Sequence, residues 1–539
     1  MPRVLICDKL ESAGIDLLKK AGVEVDNRPG LTGSDLANAL HSADAAIVRS
    51  ATRITAELLE APGKLRAVVR AGVGVDNIDV PAATRKGVVV MNTPGGNTVS
   101  AAEHTIALMM TLARHIPAAD AGMKAGKWDR GKYVGAQVSG KTIGIVGLGR
   151  IGREVGRRAA GLDMKVVGYD PFMAPDRAAQ LGIKAVSSLD ELLPLCDFLT
   201  VHVPMTEETK GLIGERAINM LPKNARLLNV ARGGIIDEQA LVDALKSGRI
   251  AGAALDVFVQ EPPPADCPLL KAPNIVLTPH LGASTVEAQE AVAIEAAQLL
   301  IDFLTRGVVQ CAVNMAAFNR AELDEMRHYV DLARRLGLLQ AQMAQGPIVR
   351  AELNYRGDLA RKSTKLLTAA FAAGLLEYRL SESVNLINSE LLARERGIEI
   401  VESANPHKGD FSNLIHTEVF TDKKSLIASG TQFGKEFLRL VQLGPYRLES
   451  YLDGVLLAFT HRDVPGLIGY IGTALGKHNV NIAAMNVGRQ MPGGEAIAVL
   501  NLDNLPPEEA LKEVKEHEKI YNLTVVKLPP VGEMPVWFG

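Results

Sequence analysis

Six consecutive residues, Gly147-Leu148-Gly149-Arg150-Ile151-Gly152, carry glycine at their first, third and sixth positions. The pattern is common by itself. Here the apolar run TIGIV precedes it and the helical pattern IGREVGRRAAGL continues from it, so it predicts a strand-to-helix turn. In such a turn the first glycine permits the sharp bend and the second lets a pyrophosphate approach the backbone. The third permits close helix–strand packing, and the helix N-terminus draws the phosphates. Asp170 follows Gly152 by 18 residues, at the end of the next strand. A carboxylate there accepts bonds from the adenosine ribose hydroxyls and repels a 2′-phosphate. The following Pro171-Phe172-Met173 offers no arginine, so the pattern selects NAD over NADP.

Three polar residues stand at or just beyond the ends of later strands: Arg232 after RLLNVA, Glu261 after DVFVQ and His280 after IVLTP. Doubly wound sheets collect their ligands at those ends. Oxidation of an alcohol by hydride transfer needs a base for the hydroxyl proton, and histidine titrates in the useful range. A carboxylate beside it would fix the tautomer and stabilise imidazolium, while arginine grips a substrate carboxylate through two bonds. Each residue alone has a structural alternative, as a packed histidine, a locally paired arginine or a solvent-facing glutamate. Spacing does not show that they converge.

The elements that must position them form an alternating α/β series. Apolar runs at 4–7, 45–48, 67–69 and 88–91 are separated by helical patterns, implying βαβ units and a parallel sheet. A helix is expected from Thr98 through SAAEHTIALMMTLARHI, with Pro117 near its end. Residues 142–280 hold six further strand patterns, which suit a doubly wound nucleotide domain. A helix at about 284–305 would carry the chain back to the first domain and leave a hinge between the two lobes. Residues 320–451 mix strand and helix patterns without a glycine fingerprint or a metal spacing, and suggest a separate mixed α/β domain. The tail reads βαββαβ, the split, ferredoxin-like order, whose open sheet edge suits self-pairing or ligand binding.

A chain of 539 residues exceeds one hydrophobic core, so several domains are expected. Charge is balanced at −2 and aromatic residues make up 4%, which argues against a nucleic-acid partner or an anionic membrane surface. The four cysteines are scattered and form no CxxC pair, so neither a zinc site nor a disulfide framework is expected, and a reducing cytoplasm is. The N-terminal MPRVLICDKL reads as a strand rather than a signal peptide, and no apolar run is long enough for a membrane span.

The segments GLGRIG, NVARGGIID, ALDVFVQEPP and TPHLGAST resemble the signatures of the D-isomer-specific 2-hydroxyacid dehydrogenases. The resemblance implies that Arg232 binds the substrate carboxylate, Glu261 orients the histidine and His280 is the acid/base. It further implies NAD contacts at Gly147, Gly149, Arg150, Ile151, Gly152, Asp170, Val203, Pro204, Val230, Ala231, Arg232, Asp256, His280 and Gly282. Along its whole length the chain is similar to the long-form phosphoglycerate dehydrogenases, a branch of that family. IVRSATRIT and VVRAGVGVDNIDVPAATRKGVVVMNTPGGNTVSAAEHT carry the likeness in the first domain. That similarity implies oxidation of a phosphorylated 2-hydroxy acid, with Arg49, Ser50, Arg70, Gly72 and Val73 on the substrate side. Arg130 and Lys132, in GKWDRGKY, would reach a neighbouring subunit's site in a homodimer or homotetramer. His461-Arg462-Asp463-Val464-Pro465-Gly466 and Asn479-Val480-Asn481-Ile482 resemble an ACT regulatory domain. Within it, His461, Asp463 and Asn481 match positions that contact L-serine, and a purely structural, oligomerising tail is the alternative.

The expected architecture is therefore a flavodoxin-like substrate domain (1–98 and 285–318) around a Rossmann NAD domain (99–284). An intervening mixed α/β domain (319–451) and a ferredoxin-like ACT domain (452–539) follow. Dehydrogenases of other D-2-hydroxy acids, and an NAD-sensing corepressor on the same scaffold, are the competing readings. The first would not usually carry both extra domains, and the second would be expected to show partner-peptide features.

Overall fold

The computed structural model describes residues 1–315, 320–380, 384–434, 437–530 and 532–533. The first sheet is built from β1 (Arg3–Ile6), β2 (Glu24–Asn27), β3 (Ala45–Val48), β4 (Ala67–Arg70) and β5 (Val89–Asn92). All five strands are parallel in the order β2-β1-β3-β4-β5, which is the flavodoxin-like winding. Its central strands are apolar apart from an arginine at one end of β1 and of β4, as sheets covered on both faces require; β3 is AAIV and wholly buried. β2 escaped the sequence reading because it is an edge strand with the polar sequence EVDN.

The second sheet holds β6 (Thr142–Val146), β7 (Lys165–Tyr169), β8 (Lys184–Ala185), β9 (Phe198–Val201), β10 (Arg226–Asn229), β11 (Gly252–Leu255) and β12 (Ile275–Leu277). Their order is β12-β11-β10-β9-β6-β7-β8, all parallel, a Rossmann winding that reverses between β6 and β9. There are seven strands rather than the expected six, because the two-residue β8 is too short to leave a pattern.

Two helices join the lobes. The expected long helix after Thr98 stops at Ala113, and His115 takes a left-handed conformation before a second helix, Ile116–Lys124, with Pro117 in its first turn. The return helix spans Val286–Arg306. The Thr285 hydroxyl caps it by accepting the Ala288 amide at 3.2 Å, and Gly307 ends it at φ 65°. It buries Val292, Ala296, Leu300 and Phe303 against the first sheet. Beyond it the chain pairs again with β5: Asn92 donates to the Cys311 carbonyl at 3.1 Å and Val313 to that of Val90 at 2.8 Å.

The remaining strands are β13 (Ile348–Gly357), β14 (Glu399–Asn405), β15 (Asn413–Thr421), β16 (Ser425–Phe433), β17 (Phe437–Leu443) and β18 (Tyr446–Tyr451), then β19 (Val455–Arg462), β20 (Ile482–Arg489), β21 (Glu495–Leu502) and β22 (Ile520–Lys527). They form a six-stranded sheet, antiparallel except at β13/β14, and a four-stranded antiparallel sheet in the order β20-β21-β19-β22. The second of these has the expected βαββαβ order. Its edges are not fully open, however. A β-carbon at Gly488 of β20 would meet the Arg447 carbonyl of β18 at 2.6 Å. At β22, the Gln342 amide both donates to and accepts from the Lys527 backbone at 2.9 Å. Arg335, only 1% exposed, ties the helix Arg320–Met343 to the same domain. It pairs with Asp331 at 2.8 Å and donates to the carbonyls of Leu452, Pro529 and Pro530 at 3.1, 2.6 and 2.9 Å. Among the described residues no helix is long and apolar enough to cross a membrane.

Candidate active site

A cleft of about 510 Å³ lies between the first two sheets, beyond the C-terminal ends of β6, β9, β10 and β12. This is the switch point where a doubly wound sheet leaves a crevice. Its Rossmann wall carries Gly149, Arg150, Ile151, Val203, Pro204, Val230, Ala231, Arg232, His280 and Gly282, and the facing wall carries Arg70 and Val73.

The glycine turn fits a dinucleotide. Gly147 has φ 91°, and a β-carbon there would come within 2.5 Å of the His202 carbonyl. At Gly149 nothing lies within 4 Å of such an atom, so the backbone is open to a large anion at the start of the helix Arg150–Ala160. At Gly152 the added atom would sit 2.0 Å from the Gly147 carbonyl, so the turn packs directly on its helix. Gly147 and Gly152 thus shape the turn from behind and do not line the cleft. Asp170 is also outside it. Its carboxylate accepts the Leu148 and Phe172 amides, each at 2.8 Å, and so braces the same turn.

His280 and Glu261, 19 residues apart in sequence, meet: Nδ1 stands 2.6 Å from Oε2. The second Glu261 oxygen accepts the Phe258 amide at 3.0 Å. Burial pushes the Glu261 carboxyl up. The His280 bond, the Phe258 amide and the charges of His280 and Arg232 outweigh it and hold the group below the ordinary value. A carboxylate on Nδ1 leaves Nε2 as the ring atom for a reacting hydroxyl.

Arg232 reaches across the cleft and its Nε donates to Asp76 at 2.9 Å. A second bond, to the Ala231 carbonyl at 2.7 Å, holds the guanidinium over Gly74. Arg70 stands near it, with a buried Nε that has no hydrogen-bond partner among the described residues. Burial, and then the charge of Arg232, push Arg70 down to about 10. Two guanidiniums under mutual repulsion in a partly dry cleft favour an anionic occupant.

Other expected residues lie elsewhere. Arg49 donates to the Lys9 carbonyl at 3.1 Å and to Gln289 at 3.4 Å, and is not in the cleft wall. Ser50 is exposed, and Gly72 packs under the Arg70 guanidinium at φ 152°. Arg130 and Lys132 sit on the exposed 3-10 turn Arg130–Tyr133, off the cleft. Asp256 is wholly buried beneath the loop that carries His280. In the four-stranded domain, His461 is 2% exposed and its Nε2 lacks a partner among the described residues. Asp463 is held by Arg489 at 2.9 Å, and Asn481 donates to Asp503 at 2.7 Å.

Among the cleft residues that sequence spacing does not reveal, Asp76 and His202 carry titratable side chains. Asp76, the partner of Arg232, is one acidic residue in a loop 156 positions away. His202 Nδ1 has no hydrogen-bond partner among the described residues, and burial pushes the imidazole down to about 4, so it stands neutral in the wall.

Comparison with known proteins agrees with this geometry. Residues 106–282 match the NAD-binding domain of the D-isomer-specific 2-hydroxyacid dehydrogenases. Residues 325–444 match the D-3-phosphoglycerate dehydrogenase intervening domain, and residues 455–519 the ACT domain. The chain is 41% identical over 528 residues to a D-3-phosphoglycerate dehydrogenase of Methanocaldococcus jannaschii, covering 98% of this chain and 100% of that one. It is 39% identical to the Bacillus subtilis enzyme of the same name, again over 98% of this chain and 100% of the other. The chain belongs to the D-3-phosphoglycerate dehydrogenase family. The NAD-dependent formate dehydrogenase of Staphylococcus aureus, solved in complex with NAD, superposes with a TM-score of 0.53 at 30% identity. That likeness covers 59% of this chain and 100% of that one. The chain is thus an oxidoreductase with NAD as its cofactor, on the expected combination of a Rossmann lobe, a second parallel α/β lobe and a C-terminal ACT domain.

Proposed function

We propose that this protein oxidises 3-phospho-D-glycerate to 3-phosphooxypyruvate with reduction of NAD, the step that opens L-serine synthesis. The observation that carries the reading is the His280–Glu261 pair, 2.6 Å apart, at a cleft that also holds Arg70 and Arg232. The full-length relatives bearing that enzyme's name support the substrate.

In this mechanism the Gly147–Gly152 turn would hold NAD, which when bound would supply the hydride acceptor for C2 of the substrate. Arg150, Ile151, Val203, Pro204, Val230, Ala231 and Gly282 line its place, with Asp170 supporting the adenosine end. Arg232 holds the substrate carboxylate and Arg70 the phosphate, a division that suits two cations on facing walls. His280 Nε2 takes the hydroxyl proton as the C2–H bond breaks and the C2–O double bond forms. Glu261 stabilises the imidazolium that results. Closure of residues 1–98 and 285–315 on residues 99–284 would expel water and fix the transfer distance. Asp76 keeps Arg232 extended across the cleft until a carboxylate replaces it.

The ACT domain takes L-serine in this reading, with His461, Asp463 and Asn481 as contacts, and its ammonium displaces Arg489 from Asp463. Assembly as a homodimer or homotetramer in the cytoplasm belongs to the same proposal. The test is NAD reduction with 3-phospho-D-glycerate, D-glycerate, D-lactate and 4-phospho-D-erythronate, with and without L-serine. Preference for 3-phospho-D-glycerate supports the reading. Turnover of D-glycerate alone overturns the phosphate assignment, and rates indifferent to L-serine overturn the effector assignment.

A further inference from the structure

We infer that His104 is a positioning residue for the catalytic loop and acts on His280 through Asp256. The inference rests on the reading of His280 as the base. Asp256 follows β11 and is 0% exposed. Its carboxylate organises the whole turn after β12. One oxygen accepts the Leu281 amide at 2.7 Å and the Thr278 hydroxyl at 2.6 Å, and the other accepts the Gly282 amide at 2.8 Å. Its own carbonyl accepts the His280 amide at 2.9 Å. The need for such bracing is visible in the backbone, because His280 has φ 54°, a left-handed conformation that a residue with a β-carbon rarely adopts.

A wholly buried carboxylate also needs a compensating charge or strong donors. Among the described residues, His104 is the side chain within ion-pair distance of Asp256 that can carry positive charge, with Nε2 at 3.1 Å from Oδ1. The same nitrogen is 3.1 Å from the Thr278 hydroxyl oxygen, so one N–H ties both residues. His104 stands on the helix Thr98–Ala113, the first element after the chain leaves β5. One turn earlier on that helix, Ala101 lines the cleft. His104 itself is not in the cleft wall. It therefore joins the inter-lobe helix to the loop of the base without touching substrate or cofactor, and it holds the strained His280 backbone in place.

The test compares His104→Leu and His104→Gln with the parent protein. Glutamine can return an N–H to the position of Nε2; leucine cannot. Backbone hydrogen exchange is followed for residues 278–283 without cofactor, alongside kcat, the KM for NAD and the deuterium isotope effect with C2-labelled substrate. Loss of one charge-assisted bond predicts exchange about ten- to a hundredfold faster in that segment for His104→Leu. It also predicts a comparable fall in kcat, a larger isotope effect and little change in KM, with His104→Gln recovering most of each. Exchange in residues 278–283 that matches the parent would overturn the inference, as would a melting-temperature loss with kcat intact. Faster exchange with unchanged kcat would overturn it too, whereas the reading of His280 as the base fails separately, if His280→Ala keeps turnover near the parent's. If His104→Leu fails to fold, a His104→Gln protein lacking parental protection in the loop also contradicts the inference.

Discussion

Replacing Glu261 with glutamine keeps the shape of its side chain and removes its charge, which isolates what the carboxylate does for His280. The bond at 2.6 Å is short and joins groups that become oppositely charged as the base takes its proton. Hydrogen bonds to charged groups contribute about 1.5–3 kcal/mol. The His280 and Glu261 side chains are 42% and 36% exposed, so solvent screens part of that. About 1–2 kcal/mol is a reasonable share, and at about 1.4 kcal/mol per decade the expected fall in kcat is about 5- to 30-fold. A rotated carboxamide would also donate to Nδ1 and favour the tautomer with its proton on Nε2, adding to the loss. The assay is NADH absorbance at saturating NAD and substrate, with NAD affinity measured separately by fluorescence titration. Affinity should be unchanged, because Glu261 lies outside the wall of the main cleft. Glu261→Ala should be worse than Glu261→Gln, since it also strands the Phe258 amide. A Glu261→Gln enzyme within twofold of the parent kcat would refute the role assigned to the pair.

Three further outcomes follow from the structure. Arg70→Leu should raise the KM for a phosphorylated substrate about 10- to 100-fold, the worth of a charge-assisted contact, with D-glycerate turnover changed far less. Equal losses on both substrates would count against Arg70 as the phosphate partner. Arg335→Met strands Asp331 in a site where the arginine is 1% and the aspartate 6% exposed. Such a break costs about 3–5 kcal/mol in denaturant unfolding, and the double change Arg335→Met with Asp331→Leu should recover much of it. Asp256 bears on acid stability. Burial pushes its carboxyl up, but bonds from His104, Thr278 and the Leu281 amide prevail and hold it below the ordinary aspartate value. A depressed carboxyl stabilises the fold fully above its unfolded value and loses that contribution as pH falls through its folded one. Melting temperature should therefore drop less steeply below about pH 4 in Asp256→Asn than in the parent.

Which features could be read in advance follows from where their causes lie. The glycine turn was legible because its strand, bend and helix are contiguous, and each glycine has a local reason. The central parallel strands were legible because burial on both faces leaves no room for polar residues. β2 and β8 were not, since an edge strand such as EVDN meets water and two residues make no period. The six-stranded sheet was seen only as a mixed region, because β14 pairs in parallel with β13 across two helices, a topology that no local pattern encodes. In the site, Arg232, Glu261 and His280 could be placed at strand ends by their types. Asp76 and His104 could not, because each gains its meaning from a partner more than 150 residues away. Asp170 and Asp256 show a further case. Their types and positions suggested ligand contact, but not the bonds by which their carboxylates also brace the backbone amides around the cleft.

The central claim is hydride transfer from C2 of 3-phospho-D-glycerate with His280 as the base. Substrate deuterated at C2 tests it directly, with the coenzyme product analysed by mass and the single-turnover rate compared with unlabelled substrate. The account predicts that the deuterium appears in NADH, that the labelled reaction is several-fold slower, and that His280→Ala abolishes the transfer. Deuterium released to water, or transfer that persists in His280→Ala at a rate near the parent's, would contradict it.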